Sequence, residues 1–259
     1  MIQSIDPESP RYAADLLLLH GAWSGPSAWG RVAAAMAQRG WRCHLLDLRA
    51  AAATCPPGAA ARRGDHPWVA GARAAIAELD APPIVIGHGA GALVALEIAA
   101  EETVRAAIAA APLAEGARPL APATERLRLR LLGGSLDPPG AGAPVFTGLS
   151  VEDAARLASS MVPESASVVR WVDRAATSLG APAVPAMLLA QEDDPWARPV
   201  AVEVLARGIG ADFVVLPGGH WSFAGQRIDA WASRIHRWIV QRTGGELLLL
   251  RGDEDLRED

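Results

Sequence analysis

One stretch limits the possible folds more than any other: Pro83-Ile84-Val85-Ile86-Gly87-His88-Gly89-Ala90-Gly91-Ala92-Leu93-Val94-Ala95-Leu96-Glu97-Ile98. A short apolar run bounded by prolines reads as a buried strand. Gly87, Gly89 and Gly91 then force a sharp turn, since glycine alone adopts positive φ freely and lets backbones approach closely. The residues from Ala90 to Glu101 are apolar almost all round, so they predict a helix buried on every side. A buried strand that turns at once into a buried helix is the building unit of a parallel sheet covered by helices.

The rest of the chain repeats that rhythm. Leu16 to Leu19, Trp41 to Asp47, Val104 to Ala111, Ala186 to Ala190 and Phe213 to Leu216 read as further strands. Trp29, Val32 and Met36 share a helical stripe, with Ser27 as a possible cap. Arg49 to Gly64, rich in Ala, Pro and Arg, reads as an irregular loop, and Pro67 to Leu79 as a helix with proline in its first turn. From Pro112 to about Ala176 the strand signals stop, and helical pieces alternate with Pro/Gly breaks: Ala123 to Leu132, Ser150 to Met161 and Pro163 to Leu179. Ser150 and Asp153 have capping-box spacing. Pro199 to Arg207 is helical, and Ile228, Trp231, Ile235, Trp238 and Ile239 form the apolar stripe of a last helix. The expected organisation is an α/β core from 1–112 and 177–242, a helical cap at 113–176, and an acidic, solvated tail at 243–259.

Composition narrows the function classes. The net charge of −5 offers no basic footprint for nucleic acid or an anionic membrane. Met1 to Asp15 has neither the basic start nor the apolar core of a signal peptide, and no apolar run spans a bilayer, so a cytoplasmic protein is expected. Cys43 and Cys55 lack metal-like spacing and are expected to be free. The chain contains no Lys and no Asn. That bias matches a GC-rich coding sequence, and it removes Schiff-base chemistry.

Four motifs carry chemistry. His20-Gly21-Ala22-Trp23 follows the first buried strand, and a backbone N–H of Ala22 or Trp23 is a candidate oxyanion donor. Gly87-His88-Gly89-Ala90-Gly91 supplies a second through the N–H of Ala90. Such donors contribute on the order of 3 kcal/mol each. Asp194, in Gln191-Glu192-Asp193-Asp194-Pro195-Trp196, is a candidate acid, with Asp193 the alternative. His220, in Pro217-Gly218-Gly219-His220-Trp221, is a candidate base on a glycine-flanked loop. Ser24 and Ser222 lie near these motifs, with nothing to mark either as an attacking group. Gly87, Gly89 and Ala92 also satisfy a loose dinucleotide-binding pattern, but the Asp194 and His220 motifs further on favour a hydrolytic type of site. No metal cluster or phosphate loop is present, so no cofactor is expected.

In this order, the four motifs resemble the α/β-hydrolases, in the compact, lidded form found among esterases, thioesterases and natural-product tailoring enzymes. The resemblance runs from Leu16 to about Val240. It implies a mostly parallel sheet with helices on both faces and an inserted cap. It also implies roles: His220 as base, Asp194 as the acid that orients it, Ala22 or Trp23 with Ala90 as the oxyanion hole. The family's elbow pattern is G-x-S-x-G, and here Gly89 stands where the nucleophilic serine belongs. Four outcomes follow from that, one of them a dead site that keeps His220 and Asp194 only for structure. A His–Asp pair can catalyse proton transfer with no covalent intermediate, in hydrolysis, elimination, cyclisation or C–C cleavage. A serine esterase or thioesterase whose nucleophile was replaced by glycine would hold its substrate. A non-catalytic protein would only bind it.

The tryptophans, nine against three Phe and one Tyr, bear on the ligand. Trp196 and Trp221 flank the acid and the base, and Trp171 lies in the cap. As pocket walls they imply an apolar or aromatic small molecule, by analogy one from polyketide or other secondary metabolism. His66 is a further residue that could line such a pocket.

Overall fold

The computed structural model describes residues 2–55, 66–101, 103–113, 117, 119–175, 179–226 and 228–247, with side chains as far as 243. The chain opens with β1 (Ile2–Ile5) and β2 (Leu16–Leu19), a 3-10 turn at Pro26–Trp29, α1 (Gly30–Ala37), β3 (Cys43–Leu46), α2 (Leu48–Thr54) and α3 (Pro67–Ala77). The elbow stretch is β4 (Ile84–His88) followed by α4 (Ala90–Ala99), and β5 (Ala106–Ala110) comes next. Then follow α5 (Ala123–Leu132), β6 (Ser135–Leu136), α6 (Val151–Ser160), β7 (Glu164–Ser165) and α7 (Ala166–Ala175). The alternation resumes with β8 (Ala186–Gln191), α8 (Pro199–Ile209), β9 (Asp212–Leu216) and α9 (Ile228–Leu247).

Seven strands form one sheet in the order β1-β3-β2-β4-β5-β8-β9. Every pairing is parallel except β1 with β3. Strands buried on both faces need continuous apolar sequence. Leu16 to Leu19 meet that need, all four fully buried, at roughly 1.5–3 kcal/mol per side chain. In the helical layers α1 packs against α9, α3 against α4, and α8 against β8 and β9.

Parallel strands place their C-terminal ends along one edge of the sheet. The loops after β2, β4, β8 and β9 therefore all emerge there, carrying His20, Gly89, Asp194 and His220. β2 and β4 are neighbours although β3 separates them in sequence, so the strand order reverses between them, which is where open α/β sheets form their crevice.

The structure corrects several expectations. β1 adds an antiparallel edge strand that the short, polar Ile2–Ile5 segment did not signal. The stretch read as a loop from Arg49 begins as α2, because Asp47 caps it: its Oδ1 accepts from the N–H groups of Arg49 and Ala50 at 3.0 and 3.1 Å. The remainder of that loop, from 56 to 64, lies outside the described residues. Ser27 sits inside the 3-10 turn, where it caps nothing. β6 and β7 form a two-residue antiparallel ladder where no strand was expected. Ser150 does cap α6, its Oγ accepting from the Asp153 N–H at 3.0 Å. Most of the acidic tail, 248 to 259, also lies outside the described residues. Cys43 is a buried free thiol, and burial pushes it up to about 12. Among the described residues, no helix is long and apolar enough to cross a membrane.

Candidate active site

Close approach of backbones shapes the elbow. A Cβ on Gly87 would stand 2.1 Å from the Gly91 carbonyl oxygen, and one on Gly91 would stand 2.3 Å from that of His20. Both positions therefore exclude any side chain, and the second presses the His20-Gly21 loop onto the start of α4. Gly89 differs from both. Its backbone lies at φ 55° and ψ −113°, a region that favours glycine, yet a Cβ there would meet only ordinary contacts. Its nearest neighbour would be His220 Nε2 at 3.5 Å, then Leu113 Cδ1 at 3.8 Å and Gly21 Cα at 3.9 Å.

His220 is buried on the loop after β9, and its Nδ1 lies 2.7 Å from Asp194 Oδ2. A carboxylate only accepts, so Nδ1 donates, and Nε2 faces Gly89. Asp194 Oδ1 accepts the N–H groups of Trp196 and Ala197 at 2.8 and 3.0 Å. Burial favours the protonated acid, but the charge and hydrogen bond of His220 together with those two N–H groups outweigh it, so the Asp194 carboxyl is held below its usual range. Asp193, the alternative acid, is exposed.

The two candidate donors in the His20-Gly21 loop differ. The Trp23 N–H donates to buried Glu164 Oε2 at 3.1 Å, which leaves the N–H of Ala22 as the remaining candidate on that loop. Ala90 opens α4, where the first N–H groups have no partner within the helix and the dipole favours negative charge. Trp23 itself lies at φ 62°, an uncommon conformation for a bulky residue. Three contacts hold it there: Glu164, the Val162 N–H donating to its carbonyl at 2.9 Å, and its own Nε1 donating to the Leu136 carbonyl at 2.9 Å.

The tryptophans separate. Trp196 is half-buried and meets His220 edge-on, with ring centroids 4.9 Å apart, and Trp23 lies against Trp196 at 5.4 Å. Trp171, on α7, stacks on His66 at 4.6 Å. His66 also caps α3 by accepting the Trp68 N–H. Trp221 is 1% exposed and sits in the core against His88 and Phe223. Neither nearby serine is aimed at His220: Ser24 Oγ donates to the Gly21 carbonyl, and Ser222 Oγ accepts from Trp231 Nε1.

Two contributors were not visible in the sequence. His88 donates from Nε2 to the His220 carbonyl at 2.9 Å, with the two rings 4.5 Å apart. Complete burial, and next the charge of His220, hold His88 well below the usual histidine range, so it stays neutral beside the base. Glu164 is the other; it also pairs with Arg49, which donates in turn to the Ser24 carbonyl. Glu164 stands 141 residues from Trp23, so no local spacing could have announced the pairing. Among the described residues, no three His, Cys, Asp or Glu side chains come together to hold a metal ion.

A family model described as "Alpha/beta hydrolase family" matches residues 16–234. The chain belongs to the alpha/beta hydrolase family. Solved structures that share the α/β-hydrolase fold include a monoacylglycerol lipase from Paleococcus ferrophilus, 17% identical, with a TM-score of 0.70 over 94% of this chain and 100% of that one. A putative non-heme bromoperoxidase from Mycobacterium tuberculosis is 20% identical, with a TM-score of 0.65 over 94% and 96%. The thioesterase domain from the curacin biosynthetic pathway is 21% identical, with a TM-score of 0.56 over 91% and 94%. At these identities the likeness carries the fold and not the substrate. No curated protein sequence matches the chain.

Proposed function

We propose that this α/β-hydrolase is an enzyme in which His220 and Asp194 act as a general acid–base pair, without a covalent nucleophile, on an apolar carbonyl-containing small molecule. The observation that carries the reading is the 3.5 Å between His220 Nε2 and a Cβ built on Gly89. A serine hydroxyl at that place would be within reach of the base; glycine offers none. The lone pair of His220 is then free to take a proton from water adding to a carbonyl. It can equally take one from a carbon beside the carbonyl, which leads to elimination, cyclisation or C–C cleavage. Asp194 stabilises the imidazolium, and the N–H groups of Ala22 and Ala90 receive the oxyanion or enolate. Trp196, backed by Trp23, offers the base a flat apolar neighbour, which supports an aromatic or polyketide-like substrate in natural-product tailoring. The segment between β5 and β8 serves as the cap.

The test is turnover on a panel of aryl esters, thioesters and β-keto compounds. His220→Ala is expected to lose roughly 10²–10⁴-fold in rate, the usual worth of a positioned acid–base group. A fluorophosphonate probe is expected to leave the protein unlabelled. Full turnover by His220→Ala sinks the reading.

The free contacts around a Cβ at Gly89 also favour a second reading, a serine esterase or thioesterase whose nucleophile has been replaced. Gly89→Ser would then give a burst of acyl release and a labelled serine. A serine variant that stays inert across acyl chain lengths counts against it.

A further inference from the structure

A cavity of about 490 Å³ lies between α5 and α7, away from the four motif loops, and its lining includes Arg126, Arg130, Arg170, Arg174, Asp173 and Leu127. Its volume falls within the range of small-molecule sites. Its charge runs against the rest of the chain: the whole protein carries −5, yet among the described residues this lining holds four arginines and one aspartate.

Helix geometry sharpens the point. Arg126 and Arg130 are four residues apart on α5, and Arg170 and Arg174 four apart on α7, so each helix turns a like-charged pair toward the same cavity. Like-charged pairs at this spacing destabilise a helix. Asp173 reaches Arg126 at 3.4 Å, and Arg170 Nη1 donates to the Leu129 carbonyl. Arg126 Nε is buried with no hydrogen-bond partner among the described residues. Beside the guanidinium groups, Leu127 and Leu131 are 56% and 72% exposed. They lie on the face of α5 next to Arg126 and Arg130, so an apolar strip borders the charged one.

We infer that this cavity binds a phosphate-bearing amphiphile, its phosphate held by the arginines and its apolar part laid along Leu127. A phosphate monoester carries close to two negative charges and three acceptor oxygens, and the planar fork of arginine matches it in bidentate fashion. A monocarboxylate brings one charge and two acceptor oxygens, fewer than the phosphate offers the arginine forks. The site is independent of the His220–Asp194 pair and adds to the reading given above.

The test is calorimetric titration of the full chain with octyl phosphate, kept below the concentration at which it aggregates. One molecule per chain is expected, at least tenfold tighter than inorganic phosphate and tighter than octanoate, and weaker at high salt. Arg130→Glu with Arg174→Glu is expected to weaken binding at least tenfold, with the circular dichroism spectrum unchanged. Should that pair fail to fold, Arg130→Gln with Arg174→Gln removes the charge without reversing it, and the same loss is expected. Arg237→Glu, on exposed α9 surface, is expected to change neither binding nor turnover. Equal affinity for inorganic phosphate or octanoate overturns the proposal. So does unchanged affinity in the double variant, which would place the ligand near Gly89 instead. Binding to anionic vesicles with none to dispersed octyl phosphate would also overturn it.

Discussion

Three glycines lie within five residues at the elbow, Gly87 and Gly91 for close backbone approach and Gly89 for its positive φ. A Cβ on Gly87 would sit 2.1 Å from the Gly91 carbonyl oxygen, backbone against backbone, with no flexible atom to yield. Gly87→Ala is therefore expected to cost at least about 3 kcal/mol, the upper end of overpacking penalties. Gly89→Ala meets no atom closer than 3.5 Å, and its difficulty is the positive φ alone, worth roughly 1–3 kcal/mol. Urea unfolding of the two variants should place Gly87→Ala as the more damaging, and the reverse order would refute this account of the turn. At this scale much of the site was legible in the sequence. Gly89, Asp194 and His220 each follow an apolar strand, and parallel pairing brings such strand ends together. Glu164 and His88 were not legible: a lone glutamate after a proline, and a histidine inside a glycine turn, gain their meaning only from partners distant in sequence.

Between elements, a polar knot around Trp23 joins segments outside the sheet. Glu164, leading β7, accepts from the Trp23 N–H and pairs with Arg49 of α2, while Val162 and Leu136 bind the Trp23 carbonyl and indole. The Glu164 side chain is 2% exposed and that of Arg49 28%. Removing one partner of a fully buried pair costs about 3–5 kcal/mol, and the partial exposure of Arg49 lowers that expectation. Glu164→Gln, which keeps the shape and loses the charge, is expected to destabilise by about 2 kcal/mol. Equilibrium unfolding at pH 7 measures it, and a variant as stable as the parent would show that the pair fastens nothing. The segment that carries this knot was half legible. α5 spans Ala123–Leu132, the span its sequence predicts, because Pro122 and Gly133 bracket it. β6 and β7 escaped notice because two-residue strands have no periodicity to read. α2 is not legible because an alanine run signals neither helix nor loop by itself, and the cap from Asp47 that starts it is a feature of the fold.

For the whole molecule, the folded state depends on keeping histidines neutral in places water does not reach. His88 is fully buried and held well below the usual histidine range by desolvation and by the charge of His220. His66 is lowered to about 4, by burial first and the Arg174 charge second. In the unfolded chain both titrate near 6.5. Between that value and the folded one, the unfolded chain binds protons that the folded chain refuses, so stability rises with pH across the window and falls as acid is added. The slope is about 1.4 kcal/mol per pH unit for each proton taken up on unfolding. Asp194 acts in the same direction at lower pH: its lowered carboxyl contributes stability that is lost as pH falls through its folded value. Urea midpoints at pH 7, 6, 5 and 4.5 should therefore decline steadily. His66→Gln can still accept the Trp68 N–H through its amide oxygen but binds no proton, so it should flatten the decline between pH 6.5 and 4. Parallel curves for parent and variant would mean that the pocket formed by Trp171 and α3 does not keep His66 uncharged.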